Sequence, residues 1–176
     1  SVPLLALGLV EVEELLRKEA HRGRKQHGRE RLARGVVFGR RVVEEAPRGR
    51  DLEVPGREEA KANIHIGIDW LSSVSFGHID KIGKRVIVLG GGNTAMDCCR
   101  SSRRLGGEDV RVVVRSGFEE MKASPWEKED AMHEDIPIHN YLVPKAFIHD
   151  NGRLTGMTFE KVKAEFDAKG RRNLVP

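Results

Sequence analysis

The feature that most constrains this chain is a glycine turn between two regular elements. Gly90-Gly91-Gly92-Asn93-Thr94-Ala95 follows directly on the apolar run Arg85-Val86-Ile87-Val88-Leu89, and a proline-free, helix-compatible stretch from Asn93 to Leu105 follows it. A strand that breaks into a glycine turn and then a helix is the phosphate-binding corner of a Rossmann-type dinucleotide fold. In that arrangement Gly90 permits the tight turn, Gly92 lets the backbone approach a pyrophosphate, and Ala95 is small enough for close packing of helix on strand. The helix start turns unpaired N–H groups and a positive dipole end towards the anion. A glycine-rich loop that merely turns a corner gives the same short pattern, and the strand and helix on either side favour the nucleotide.

A second strand is expected at Val110-Arg111-Val112-Val113-Val114-Arg115, after the helix stop Gly106-Gly107. Folds that prefer NAD place a carboxylate near the end of this strand, where it accepts hydrogen bonds from the ribose hydroxyls. Arg115 stands there instead. A guanidinium cannot accept a hydrogen bond, but it matches a phosphate with charge-assisted and often bidentate bonds, which points to the 2′-phosphate of NADPH. Ser116 can donate one more bond and Lys122 is a further candidate cation. The alternatives are a solvated strand end for Arg115 and a surface lysine for Lys122.

Composition narrows the class. The length of 176 residues suits one domain with an ordinary core, and no stretch approaches the ~20 apolar residues that span a bilayer. Val2 to Val10 lacks the basic flank and cleavage site of a secretory signal. The two cysteines, Cys98 and Cys99, are sequence neighbours. They point in different directions on a helix, so neither a disulfide nor a metal or iron–sulfur site is expected, and a reducing cytoplasm suits them. Residues 1–50 hold twelve Lys or Arg against seven Glu, more than the whole net charge of +4. The densest part, His21 to Arg29, has no interleaved aromatics, which argues against nucleic-acid binding. Glu11 to Ala20 has helical spacing that then dissolves, leaving residues 1–46 an unassigned basic segment and a candidate for poor order.

Pro47 to Gly56 is punctuated by turn formers and reads as a connection, with a short helix around Ile68 to Ser73. Residues 47–83 are accordingly assigned as a connecting segment and 84–176 as the nucleotide domain. Ser124-Pro125-Trp126-Glu127 has the form of a capping box, predicting a helix from Pro125 to about Glu134. Ile136 to Leu142 reads as a third strand. Asn151-Gly152 is a type I′ hairpin signal between Ala146-Phe147-Ile148 and Leu154 to Phe159. Beyond Phe159 the apolar positions change parity, predicting a bulge or a new strand, and Asp167 to Gly170 reads as a turn. The expected fold is therefore α/β: a partial Rossmann-like parallel sheet with an antiparallel β-meander flap.

From Pro47 to Pro176 the chain resembles the NADPH-binding part of the glutamate synthase small (β) subunit family. The residues that carry the resemblance are Pro47 to Gly56, Gly90 to Cys98, and Val113-Val114-Arg115-Ser116 through Met121. The resemblance implies that NADPH gives a hydride to FAD and that electrons leave through iron–sulfur centres towards a partner or large subunit. The family also carries a second glycine motif for FAD and a cysteine-rich domain nearer its N-terminus, and residues 1–46 hold neither. The nucleotide domain is expected to be incomplete at its C-terminus, as in a fragment, and a fusion or shifted reading frame would also account for the unfamiliar front. Two functions stay open: the NADPH-binding segment of an FAD-dependent oxidoreductase, or a non-catalytic nucleotide-binding or assembly fragment. No catalytic or metal-binding residue is assigned, and His133, His139 and His149 are read as surface or strand positions.

Overall fold

The computed structural model describes residues 35–37, 41–44 and 52–176. The expectations for Val2–Val10, Glu11–Ala20 and His21–Arg29 lie outside the described residues.

The strands are β1 (Gly35–Val37), β2 (Arg41–Glu44), β3 (Ile64–Ile66), β4 (Arg85–Leu89), β5 (Asp109–Val113), β6 (Ile138–His139), β7 (Leu142–Asp150), β8 (Arg153–Lys161), β9 (Lys163–Phe166) and β10 (Arg172–Val175). The helices are α1 (Arg57–Ala60), α2 (Gly67–Ser75), α3 (Asn93–Arg104) and α4 (Pro125–His133), and a 3-10 turn covers Lys61–Asn63. Five strands form a sheet in the order β3-β2-β4-β5-β6, and every neighbouring pair is parallel. A second sheet, β1-β8-β7, is antiparallel, and β9 and β10 form a separate hairpin. The α/β reading and the antiparallel flap are thus borne out.

β4 is central and covered on both sides, which explains its uninterrupted apolar sequence. Val86 and Val88 join Val110, Val112, Ala95, Met96, Trp70 and Ala131 in one core. Ile87 and Leu89 face the other way, into Ala60, Phe147, Leu154, Met157 and Phe159. Helices α2, α3 and α4 cover one face, and the β7–β8 hairpin together with α1 covers the other. Side chains as large as Phe159 and Met157, both essentially inaccessible, each contribute roughly 1.5–3 kcal/mol by leaving water.

The details refine the sequence reading. The stretch 47–83 holds α1, β3 and α2 as well as connecting chain, and residues 41–44 supply β2 between β3 and β4. β5 ends at Val113, so Arg115 is in the following loop and not at a strand end. The third strand is only the two residues of β6. Asp135 (φ 56°) and Tyr141 (φ 59°) flank it in the left-handed region, where an extended strand cannot continue. Asn151 (φ 48°) and Gly152 (φ 73°) make the expected hairpin turn. The parity change after Phe159 marks a new strand, β9. α4 starts at Pro125, but Ser124 makes no side-chain cap to it. The serine hydroxyl lies instead 3.3 Å from Asn93 Oδ1, and Glu127 pairs with Arg100, so both members of the expected capping box are used elsewhere.

Two glycines of similar φ differ in what surrounds them, and this yields a paired prediction. A Cβ on Gly56 (φ 83°) would lie 2.1 Å from the Phe147 carbonyl oxygen, whereas on Gly152 (φ 73°) it would meet nothing nearer than 3.7 Å. Gly152→Ala should cost only the left-handed backbone term, about 1 kcal/mol, while Gly56→Ala adds a backbone collision and should cost about 3 kcal/mol or more. Urea denaturation of the two variants checks the ranking.

Candidate nucleotide-binding site

The glycine turn sits at the C-terminal end of β4, where open α/β sheets bind ligands. Its three glycines do different things. Gly90 has φ 144°, and its N–H donates to the Val113 carbonyl at 3.1 Å, which ties the start of the turn to β5. Gly91 is a packing residue: a Cβ there would lie 2.8 Å from Val114 Cγ1 and 3.3 Å from Met121 Cγ. Gly92 is the N-cap of α3, with extended φ and no side-chain cap bond. Thr94 is half-buried, and fully buried Ala95 and Met96 press the helix onto the sheet. No local pattern gives Gly91 this task, because its constraint comes from residues 23 and 30 positions further along the chain.

Asn93 is the second residue whose task is visible only in three dimensions. Its Oδ1 accepts a 2.8 Å bond from the Ser124 backbone N–H, and the Ala123 N–H donates to the Gly91 carbonyl at 2.9 Å. The loop after β5 therefore returns to the glycine turn. Val114 and Met121 both pack at Gly91, and each is followed in sequence by an exposed cation, Arg115 and Lys122 respectively. Arg115 and Lys122 are thus each one residue away in sequence from a side chain that packs at the turn. Residues 90–95 contain no carboxylate, so the turn itself presents amide dipoles and no negative charge. Within the loop, Glu120 pairs with Arg172 of β10. Half-buried Ser116 has its carbonyl bonded by residues of the β6–β7 junction. Buried Lys128 donates to the Phe118 carbonyl at 3.0 Å and lies 4.4 Å from the centre of the Phe118 ring.

Behind the turn, α3 is clamped to α4. Arg100 reaches Glu127, Asp130 and Glu134 at 3.1, 3.1 and 2.8 Å, and Arg104 reaches Glu134 at 2.9 Å. Burial alone would raise the Glu134 carboxyl, but the hydrogen bonds and charges of Arg100 and Arg104 together outweigh it and hold the group below its ordinary range. On the same helix Cys98 and Cys99 are buried, and burial pushes the Cys99 thiol up to about 12. Both are core residues. Among the described residues no group of three or more His, Cys, Asp or Glu is arranged to hold a metal, and no helix is long and apolar enough to cross a membrane. His133 and His149 are exposed and His139 lies in β6.

Residues 46–170 match the pyridine nucleotide-disulphide oxidoreductase family, and the chain belongs to that family. Its curated relatives include the glutamate synthase [NADPH] small chain of Escherichia coli K12, 40% identical over 92 residues, which are 51% of this chain and 20% of that protein. They also include the NADPH-Fe(3+) oxidoreductase subunit beta of Geobacter sulfurreducens, 34% identical over 134 residues, 74% of this chain and 20% of the relative. The resemblance drawn from residues 47–176 is thereby borne out. The chain spans about a fifth of the length of these relatives. Among solved structures it is similar in fold to FprA from Mycobacterium tuberculosis in complex with NADPH, with a TM-score of 0.57, 14% identity and coverage of 94% of this chain and 54% of that one.

Two outcomes are expected. Glu134→Gln leaves Arg100 and Arg104 short of a partner and should lower stability at neutral pH by about 1 kcal/mol, or a few degrees in melting temperature. Because the folded carboxyl titrates below its unfolded value, the wild-type advantage is present above the unfolded carboxylate pKa and fades as pH falls through the folded one. Melting curves of both proteins from pH 7 down to pH 3 should therefore converge. Separately, since the thiolate is the reactive form, Cys99 should resist alkylation by iodoacetamide at pH 8 until the protein is unfolded, as peptide mass spectrometry would read.

Proposed function

We propose that this chain is the NADPH-binding segment of an FAD-dependent oxidoreductase of the glutamate synthase small-subunit kind. The observation that carries the proposal is the packing of Val114 and Met121 at Gly91, which brings the backbone beside Arg115 and Lys122 up to the glycine turn. Gly90, Gly91 and Gly92 shape the turn. The amides at the start of α3, from Asn93 and Thr94, meet the pyrophosphate with Ala95 packed behind them. Arg115 binds the 2′-phosphate through charge-assisted bonds, Ser116 adds a hydroxyl, and Lys122 adds a second positive charge. The residues present fit such a ligand: the turn offers N–H donors and holds no carboxylate, and in the loop that carries Arg115 and Lys122 the Glu120 carboxylate is already paired with Arg172.

Bound NADPH supplies a hydride equivalent, and in this reading FAD on a separate flavin domain accepts it. The chain's own work is to bind and orient, and no general acid or base is required of it. Relatives named as subunits, including the NADP(+)-dependent formate dehydrogenase subunit beta of Moorella thermoacetica, support a partner subunit; in the proposed reading that partner is an iron–sulfur protein or large subunit, in a cytoplasmic setting. The second reading is a non-catalytic nucleotide-binding or assembly fragment without its own electron acceptor.

Thermal unfolding with each ligand separates the readings. NADPH at about 100 times its dissociation constant stabilises by ~2.7 kcal/mol, which should raise the melting temperature by roughly 5–10 °C. Arg115→Ala should abolish the preference for NADPH over NADH. An equal shift with NADH in the wild type sinks the role given to Arg115, and no shift with either nucleotide supports the assembly fragment.

A further inference from the structure

The loop bearing Arg115 and Ser116 is laced to the β6–β7 junction more tightly than its exposed position suggests. The Val114 N–H donates to the His139 carbonyl at 2.8 Å, and the Leu142 N–H returns to the Val114 carbonyl at 3.1 Å. Two donors then converge on the Ser116 carbonyl: the Tyr141 N–H at 3.3 Å and the Asn140 side-chain amide, Nδ2, at 2.9 Å. Arg115 is thereby held by backbone bonds on the residue before it and the residue after it. Tyr141 occupies the left-handed region at φ 59°, and its carbonyl accepts the Val162 N–H at 2.8 Å. Its ring stands over Gly117, where a Cβ would lie 2.4 Å from the phenol oxygen.

We infer that Asn140 is a positioning residue for nucleotide selectivity: it fixes the Ser116 carbonyl so that the Arg115 guanidinium and Ser116 hydroxyl face a 2′-phosphate together. Of the contacts described, Asn140 supplies the one side chain that bonds the backbone of this pair. Its bond to Ser116 is separate from the ties that hold the glycine turn, which run through Gly91, Asn93, Ala123 and Ser124. Losing it should therefore loosen recognition of the 2′-phosphate and leave the pyrophosphate site in place. This inference rests on the reading of Arg115 given above.

The test is calorimetric titration of NADP⁺ and NAD⁺ into the whole chain and its variants. Asn140→Ala should weaken NADP⁺ about tenfold, the scale of one hydrogen bond, while NAD⁺ affinity stays within about twofold. Asn140→Asp keeps the shape, removes the donor and adds a negative charge, so it should weaken NADP⁺ more and serves if the alanine variant does not fold. Loss of both nucleotides in proportion, or of neither, overturns the role of Asn140. Arg115→Ala in the same titration tells the two failures apart. If it erases the preference for NADP⁺ while the Asn140 variants keep it, only the positioning role is wrong. If it leaves the preference intact, the reading of Arg115 is wrong and the inference falls with it.

Discussion

Close packing at Gly91 is the contact on which the rest of the candidate site depends. The absent side chain lets Val114 and Met121 meet the turn from both ends of one loop. Without that approach the loop after β5 would lose the packing that holds both its ends against the turn. The turn also inherits its rigidity from β4, which is buried on both faces and flanked by β2 and β5. The site is thus a short irregular stretch supported by the most enclosed part of the sheet, an arrangement that suits binding precise geometry on a loop.

Much of this was legible in the sequence, for identifiable reasons. The five-residue apolar run, the glycine turn and the helix after it are consecutive, and local order alone predicts them. The hairpin at Asn151-Gly152 is equally local, since its two central residues must both adopt positive φ. What escaped notice depends on partners distant in sequence. Ser124 and Glu127 match a capping box, yet Asn93 and Arg100, some thirty residues earlier, claim them both. Arg115 reads as a strand end by spacing, but β5 stops at Val113. The neighbouring chain then turns under the control of Asn140 and Tyr141, and no periodicity announces a left-handed tyrosine. Lys128 is similarly silent in a linear reading, because its partners are a carbonyl and a ring that come close only when the loop has folded back.

The helix layer shows how charge and burial divide the work behind the site. Arg100 is enclosed by three carboxylates from α4, while the neighbouring Cys98 and Cys99 fill the apolar interface with the sheet. One helix face therefore sets the distance to the sheet and another fixes the angle to α4. Ionic contacts of this kind add geometry more than net stability, and here they fix how α3 lies behind the glycine turn.

Strands β1 and β2 give the region ahead of the glycine motif an architectural meaning. β1 pairs with β8 and β2 lies between β3 and β4, so this short stretch of chain closes an edge of the flap and bridges a gap in the parallel sheet. A domain excised from residue 47 onward, where family likeness would suggest cutting, would lose both strands. It would leave β3 without its neighbour and open the edges of β4 and β8 to pairing with other molecules. The boundary suggested by likeness is therefore a poor place to cut, and a piece that keeps both sheets whole starts no later than residue 35.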